Sequence, residues 1–284
     1  MPEPIRLRAL PVSELVDQTV ALYRRRFAVF AGMALLLAIP ALATALLSGA
    51  YRSLDPILAL LQSGGGRGVV AQPQYNGLLV ALSYVIGVVM APLGGYSLLA
   101  APALVAVAID VAHGRDATLG GALLAALRRY WALLGMAILF TLALATFCAF
   151  PLGVWVFVGW AVAVPVLLEE RTSIGGALGR SWNLVRDNWW HSFFTLLLAW
   201  GLGIAVEAAL LSLVGALVFL VPSLPHDARD AILVAADQLV GVAVRPLLPI
   251  AAALLYYDLR VRHEALDLDQ LAATVSAVPV PARG

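Results

Sequence analysis

From Tyr130 to Leu168 the chain runs for 39 residues without one charged side chain. A bilayer core about 30 Å thick needs about 20 apolar residues of helix, so this run is too long for a single crossing. Near its middle, Cys148-Ala149-Phe150-Pro151-Leu152-Gly153 supplies a break. The pattern predicts two spans folded back as a tight helical hairpin. Composition agrees: 62% hydrophobic and 12% charged residues lie far from soluble averages and mark a polytopic membrane protein.

Further spans follow from the same rule. Phe27 to Leu47 is the first, bent but not ended by Pro40. The fifth runs roughly from Trp190 to Val214 and the sixth from Leu239 to Leu259. Met1 to Val12 has no apolar core of a cleavable signal peptide, so the first span itself directs insertion. Tyr75 to Ile109 carries no charge over 35 residues but holds Pro92, Gly94, Gly95 and Pro102. Arginine decides its reading, because cytoplasmic loops hold the basic excess. All 18 basic residues are Arg, a composition expected of a GC-rich bacterial genome. One crossing places 14 of them inside, leaving Arg52, Arg67 and Arg229 outside and Arg245 within the bilayer. Two crossings would reverse everything after Ile109. The expectation is an all-α, multi-pass protein of the bacterial plasma membrane, with six spans and both termini cytoplasmic.

A phrase recurs three times. Ser13, Thr118 and Ser173 each open a short amphipathic helix, their hydroxyls suited to cap free backbone N–H groups. Apolar residues follow at helical spacing, and such helices can lie in the headgroup plane. An Arg-aromatic cluster then closes each helix: Arg24, Arg25, Arg26 and Phe27; Arg128, Arg129, Tyr130 and Trp131; Arg186, Trp189 and Trp190. Together with Tyr257, these are expected as interfacial anchors. Return spans end alike at Asp110 to Arg115, at Glu169-Glu170-Arg171 and at Tyr256 to Arg262. The repeats cover about 10–116, 117–171 and 172–264 of one membrane domain, 1–270. Leu266 to Leu271 resembles the start of a fourth amphipathic helix, and 271–284 is expected to be a disordered tail.

Leu7-Arg8-Ala9-Leu10-Pro11-Val12-Ser13-Glu14-Leu15-Val16-Asp17, then Ala21-Leu22-Tyr23-Arg24-Arg25-Arg26-Phe27, and finally Leu255-Tyr256-Tyr257-Asp258-Leu259-Arg260-Val261-Arg262 resemble the bacterial glycerophosphoryl diester phosphodiesterase membrane domain family. The likeness spans nearly the whole chain, though its motifs are anchors and caps. In fused members the resemblance implies a separate catalytic barrel. These 284 residues hold no soluble segment of the roughly 250 residues a barrel needs, so no hydrolase activity is expected.

Other chemistry is sparse. His113, His191, His226 and His263 are separated in sequence, Cys148 is a lone cysteine, and no metal-binding spacing occurs. Asp110, His113 and Asp116 at i, i+3 and i+6 are read as a solvated span exit. Gly64-Gly65-Gly66-Arg67-Gly68 lacks the strand and helix of a phosphate loop. No metal, cofactor or nucleic acid is expected. Ser83, Gly87, Ala91 and Gly95 form a small-residue ridge suited to close helix contact, within the chain or with another subunit.

The sharpest candidates are charges inside the last two spans. Asp237, Gly241, Arg245, Pro249 and Ala253 share one helical face, as do Ala199, Gly203, Glu207 and Leu211. A mid-bilayer charge costs at least about 2.5 kcal/mol and needs a partner or a polar cavity. Either Glu207, Arg245 and Asp237 line a pocket for an anionic lipid headgroup or small polar solute, or Glu207 and Arg245 form a structural ion pair with Asp237 in water. Function is expected to be non-catalytic: a scaffold or accessory subunit in envelope or lipid homeostasis, partnered by membrane lipids and by another membrane protein or a second copy. The alternatives are a transporter or lipid-handling protein using that polar site, and a membrane-bound lipid enzyme.

Overall fold

A computed structural model describes residues 9–48, 96–145, 152–221 and 223–264. These are helical, with no strand among them. The glycine-rich segment, the small-residue ridge, Cys148 and the residues beyond Glu264 lie outside the described residues. In chain order the helices are α1 (Val12–Arg25), α2 (Phe27–Ser48), a π-turn (Tyr96–Ala100) leading into α3 (Ala101–Ala112), α4 (Leu119–Arg128), α5 (Tyr130–Ala145), α6 (Leu152–Gly159), α7 (Ala163–Glu169), α8 (Ile174–Arg186), α9 (Trp189–Phe219), α10 (His226–Val244) and α11 (Leu247–Glu264).

Two helical stretches are long and apolar enough to cross a membrane, Trp189–Phe219 and Ala228–Glu264, the second counted through the α10–α11 junction. A third is reached if α4 and the helix after it, bent by 70° at their junction, act together. Proline explains where the other apolar runs break. Pro165 has no N–H to bond the carbonyl of Ala161, and its ring crowds that carbonyl. The helix accordingly stops at Gly159 and restarts at Ala163, a break the expected simple hairpin did not contain. Pro102 acts likewise on Leu98, where the backbone widens into the π-turn.

α11 is the centre. Leu247, Ile250, Leu254, Leu255, Tyr256 and Leu259 are buried around its whole circumference, the signature of a core helix. α9 is its opposite: over 31 residues only Ser192, Thr195, Ala199, Gly203 and Val218 are buried, while Trp200, Leu213 and Leu217 are exposed. A helix so apolar and so uncovered suits a lipid surround. α1 is tied to the last two helices at both ends. Leu10 N donates to Asp258 Oδ1 at 2.6 Å, and the Tyr23 hydroxyl donates to the Ala243 carbonyl at 2.8 Å. Those acceptors lie 15 residues apart, about 22 Å of helix, and α1 itself is about 21 Å long. It therefore runs lengthwise and antiparallel along α11, packing against α9 as well, with Leu15, Thr19 and Leu22 buried. Protein, rather than the headgroup plane, takes its apolar face. Burial pushes the Tyr23 phenol up to about 12, so it keeps the proton it donates.

The helix starts agree with two of the three expected caps. Thr118 and Ser173 accept from Gly121 N and Gly176 N, each at 3.2 Å. Ser13 does not cap, because α1 starts earlier: Pro11 holds the N-cap position and its carbonyl accepts from Leu15 N at 3.0 Å. The return helices end alike. Gly114, at φ 70°, closes α3 with bonds from Gly114 N to Val111 O and Arg115 N to Asp110 O, the paired bonds of a Schellman turn. Arg171 takes the same left-handed region at φ 50° after α7.

The three exits, read separately in the sequence, meet beside α11. His113 Nε2 faces Glu169 at 3.5 Å, and its ring packs edge-on to Tyr257 at 5.6 Å. The Tyr256 hydroxyl donates to Glu170 at 3.0 Å. Arg180 reaches both Glu170 and Glu264, and Arg260 bonds Glu264 and the Tyr256 hydroxyl. At the centre Asp258, its side chain 1% exposed, accepts from His191 Nε2 at 2.9 Å, Arg262 Nε at 2.7 Å and Leu10 N. Arg262 also donates to the Leu10 carbonyl.

Two outcomes follow for stability, read by SDS titration in mild detergent. Asp258→Ala leaves Arg262 and Leu10 N without their buried acceptor and lowers unfolding free energy by about 3–5 kcal/mol. Arg171→Gly relieves a left-handed side chain and raises it by about 1 kcal/mol.

Candidate functional site

The buried stripe of α9 is built from small side chains at spacing four, Thr195, Ala199 and Gly203, and Glu207 is next on that ladder. Small residues admit close neighbours: a Cβ on Gly203 would come within 3.2 Å of Val244. Beyond that contact α9 and the α10–α11 junction part around a cavity of about 400 Å³. Small-molecule sites run from roughly 300 to 1,000 Å³, so the volume suits one ligand. Its wall is apolar nearly throughout, with Pro102 and Val105 from α3, Phe140 from α5, Phe157 from α6, Pro165 from α7, and Leu196, Trp200 and Ile204 from α9. Glu207 and Arg245 are the two charged residues lining it.

The junction itself places Arg245. Pro246 cannot donate to the carbonyl one turn back and crowds it, so regular helix ends at Val244 and resumes at Leu247. Arg245 N still bonds Gly241 O at 2.8 Å, and the side chain folds back along α10. Its Nη1 donates to Gln238 Oε1 at 3.1 Å and its Nη2 to Asp237 Oδ2 at 3.2 Å. Gln238 in turn donates to Asp237 at 3.0 Å. Gly241 permits this path, since a Cβ there would stand 2.5 Å from the guanidinium. The Ala243 carbonyl beside the break takes the Tyr23 hydroxyl.

Thus Glu207 and Arg245 line one cavity from two elements, whereas Asp237, the acceptor for Arg245, is not among its lining residues. Glu207 is half-buried between exposed Val206 and Ala208, and it has no hydrogen bond or ion pair among the described residues. Gln238 was missed by the sequence reading. Its signal was the spacing of seven to Arg245, two turns on one face.

The expected anchors divide. Trp131 and Trp190 are 80% and 66% exposed, and Arg25 and Arg128 are exposed as well. Arg26 reaches Asp116 at 3.9 Å, Arg129 donates to the Thr172 carbonyl at 3.4 Å, and Arg186 pairs with Asp187 at 3.5 Å. Trp189 stacks on Phe193 at 5.2 Å. Tyr257 is turned inward, buried against His113. Among the described residues no group of three His, Cys, Asp or Glu is placed to hold a metal ion.

A double-mutant cycle tests the Arg245 geometry. Asp237→Asn and Arg245→Gln should couple by about 1 kcal/mol in unfolding free energy, the range of a partly exposed contact pair. The coupling should fall toward zero in a Gly241→Ala background, where the guanidinium is displaced.

Compared with family models, curated proteins and solved structures, the chain matches none.

Proposed function

We propose that this chain is a non-catalytic lipid-binding protein of the bacterial plasma membrane, which holds one amphiphile in the cleft between α9 and the α10–α11 junction. The observation that carries the reading is the cleft's composition, an apolar wall of about 400 Å³ with a carboxylate and a guanidinium set into it. An acyl chain matches the wall and a headgroup matches the charges. An intramembrane ionisable side chain is costly unless it meets a partner or a ligand, and α9 offers lipids access along an exposed apolar flank.

The architecture we propose around it has six spans, cytoplasmic termini and three repeats. Support comes from contacts between the corner after each amphipathic helix and the end of a return helix. The corner after the first amphipathic helix contacts the exit of the first repeat, Arg26 to Asp116. The corresponding corner of the second repeat instead reaches the first residue of the third, Arg129 to the Thr172 carbonyl, just past the exit at Arg171. The third meets its own exit through His191 to Asp258, with His263 4.0 Å from Asp187. The resemblance to the phosphodiesterase membrane domain family remains a proposal carried by the quoted terminal segments alone.

The test is native mass spectrometry of the protein extracted with its own lipids. Wild type should retain one lipid per chain, and Ala252→Phe, which fills the cleft wall, should retain at least about ten-fold less at unchanged thermal stability. A stoichiometric protein partner held equally by both forms, without bound lipid, would favour the scaffold reading instead.

A further inference from the structure

The two charges of the cleft are not equivalent. Arg245 is engaged by Asp237 and Gln238, so its charge is matched inside the protein. Glu207 lines the same cavity without such a match among the described residues. Beyond that pair the wall presents one further carboxylate, and a carboxylate repels anionic headgroups and attracts ammonium ones. The remaining lining deepens the preference. Phe140, Phe157 and Trp200 present aromatic surface to the same space, and ring faces attract alkylammonium groups in desolvated sites.

We propose, resting on the lipid-binding reading above, that the cleft selects an amphiphile with an ammonium headgroup, Glu207 being its counter-ion and the apolar wall holding its tail. This reverses the assignment that Arg245 alone suggests: the guanidinium shapes the cleft and the carboxylate reads the ligand.

The test uses the full-length protein in nanodiscs and matched-chain phosphatidylethanolamine and phosphatidylglycerol, with competition read by native mass spectrometry. Wild type should favour the ethanolamine lipid by about ten-fold, the scale of one charge-assisted contact. Glu207→Gln should bring the ratio to about one while still binding lipid, and Glu207→Asp should keep the preference. Unchanged melting temperatures show that each variant is folded. A preference for phosphatidylglycerol, or one for ethanolamine that survives Glu207→Gln, overturns the ammonium assignment and leaves lipid binding standing. Saturable binding of neither lipid overturns both.

Discussion

A carboxylate sealed inside a protein must find donors or give up its charge, and this requirement at Asp258 organises the assembly. Two donors come from remote places, the backbone entering α1 and the start of α9 through His191, and the third, Arg262, from the next turn of α11 itself. Removing any one would leave the carboxylate or its partner short. The surrounding network, with Glu170, Arg180, Tyr256, Arg260 and Glu264 bonded in series, attaches the second return helix to the same end of α11. Helices with smooth apolar surfaces slide against one another at little cost; a buried ionic knot fixes their register.

The opposite principle operates at the α10–α11 junction. Pro246 interrupts the backbone ladder there, and two groups beside the break find partners: the Ala243 carbonyl in Tyr23, the guanidinium in Asp237 and Gln238. The helix therefore breaks without collapsing, and the break opens the cleft. Gly203 and Gly241 contribute by what they lack, one admitting Val244 and the other the returning side chain of Arg245.

Much of this was legible in the sequence for physical reasons. Charge-free runs and helical spacing disclosed the apolar helices, the hydroxyl caps at Thr118 and Ser173, and the common faces that carry Glu207 and Arg245. Where local chemistry competed, the reading shifted: Pro11 displaced Ser13 at the start of α1, and Pro165 split what looked like one return helix. Contacts between distant segments were not legible. Nothing in Leu10 announces a carboxylate 248 positions away, and Tyr257 looks like a membrane-surface aromatic until His113 is found packed against it. Periodicity shows which face of a helix is apolar, not whether lipid or protein will cover it. That distinction separated the expected α1 from the observed one.

The bond between Leu10 and Asp258 also joins two segments made far apart in time. A ribosome adding about 5–20 residues per second delivers those 248 intervening residues over about 12–50 s. Throughout that interval α1 exists without the helix it will pack on. Its amphipathic pattern then acquires an earlier use: the same Leu15, Leu22 and Tyr23 face that later meets protein can rest on the bilayer surface while the rest of the chain arrives. The completed fold exchanges one apolar cover for another, and the arrival of α11 ends the wait of α1.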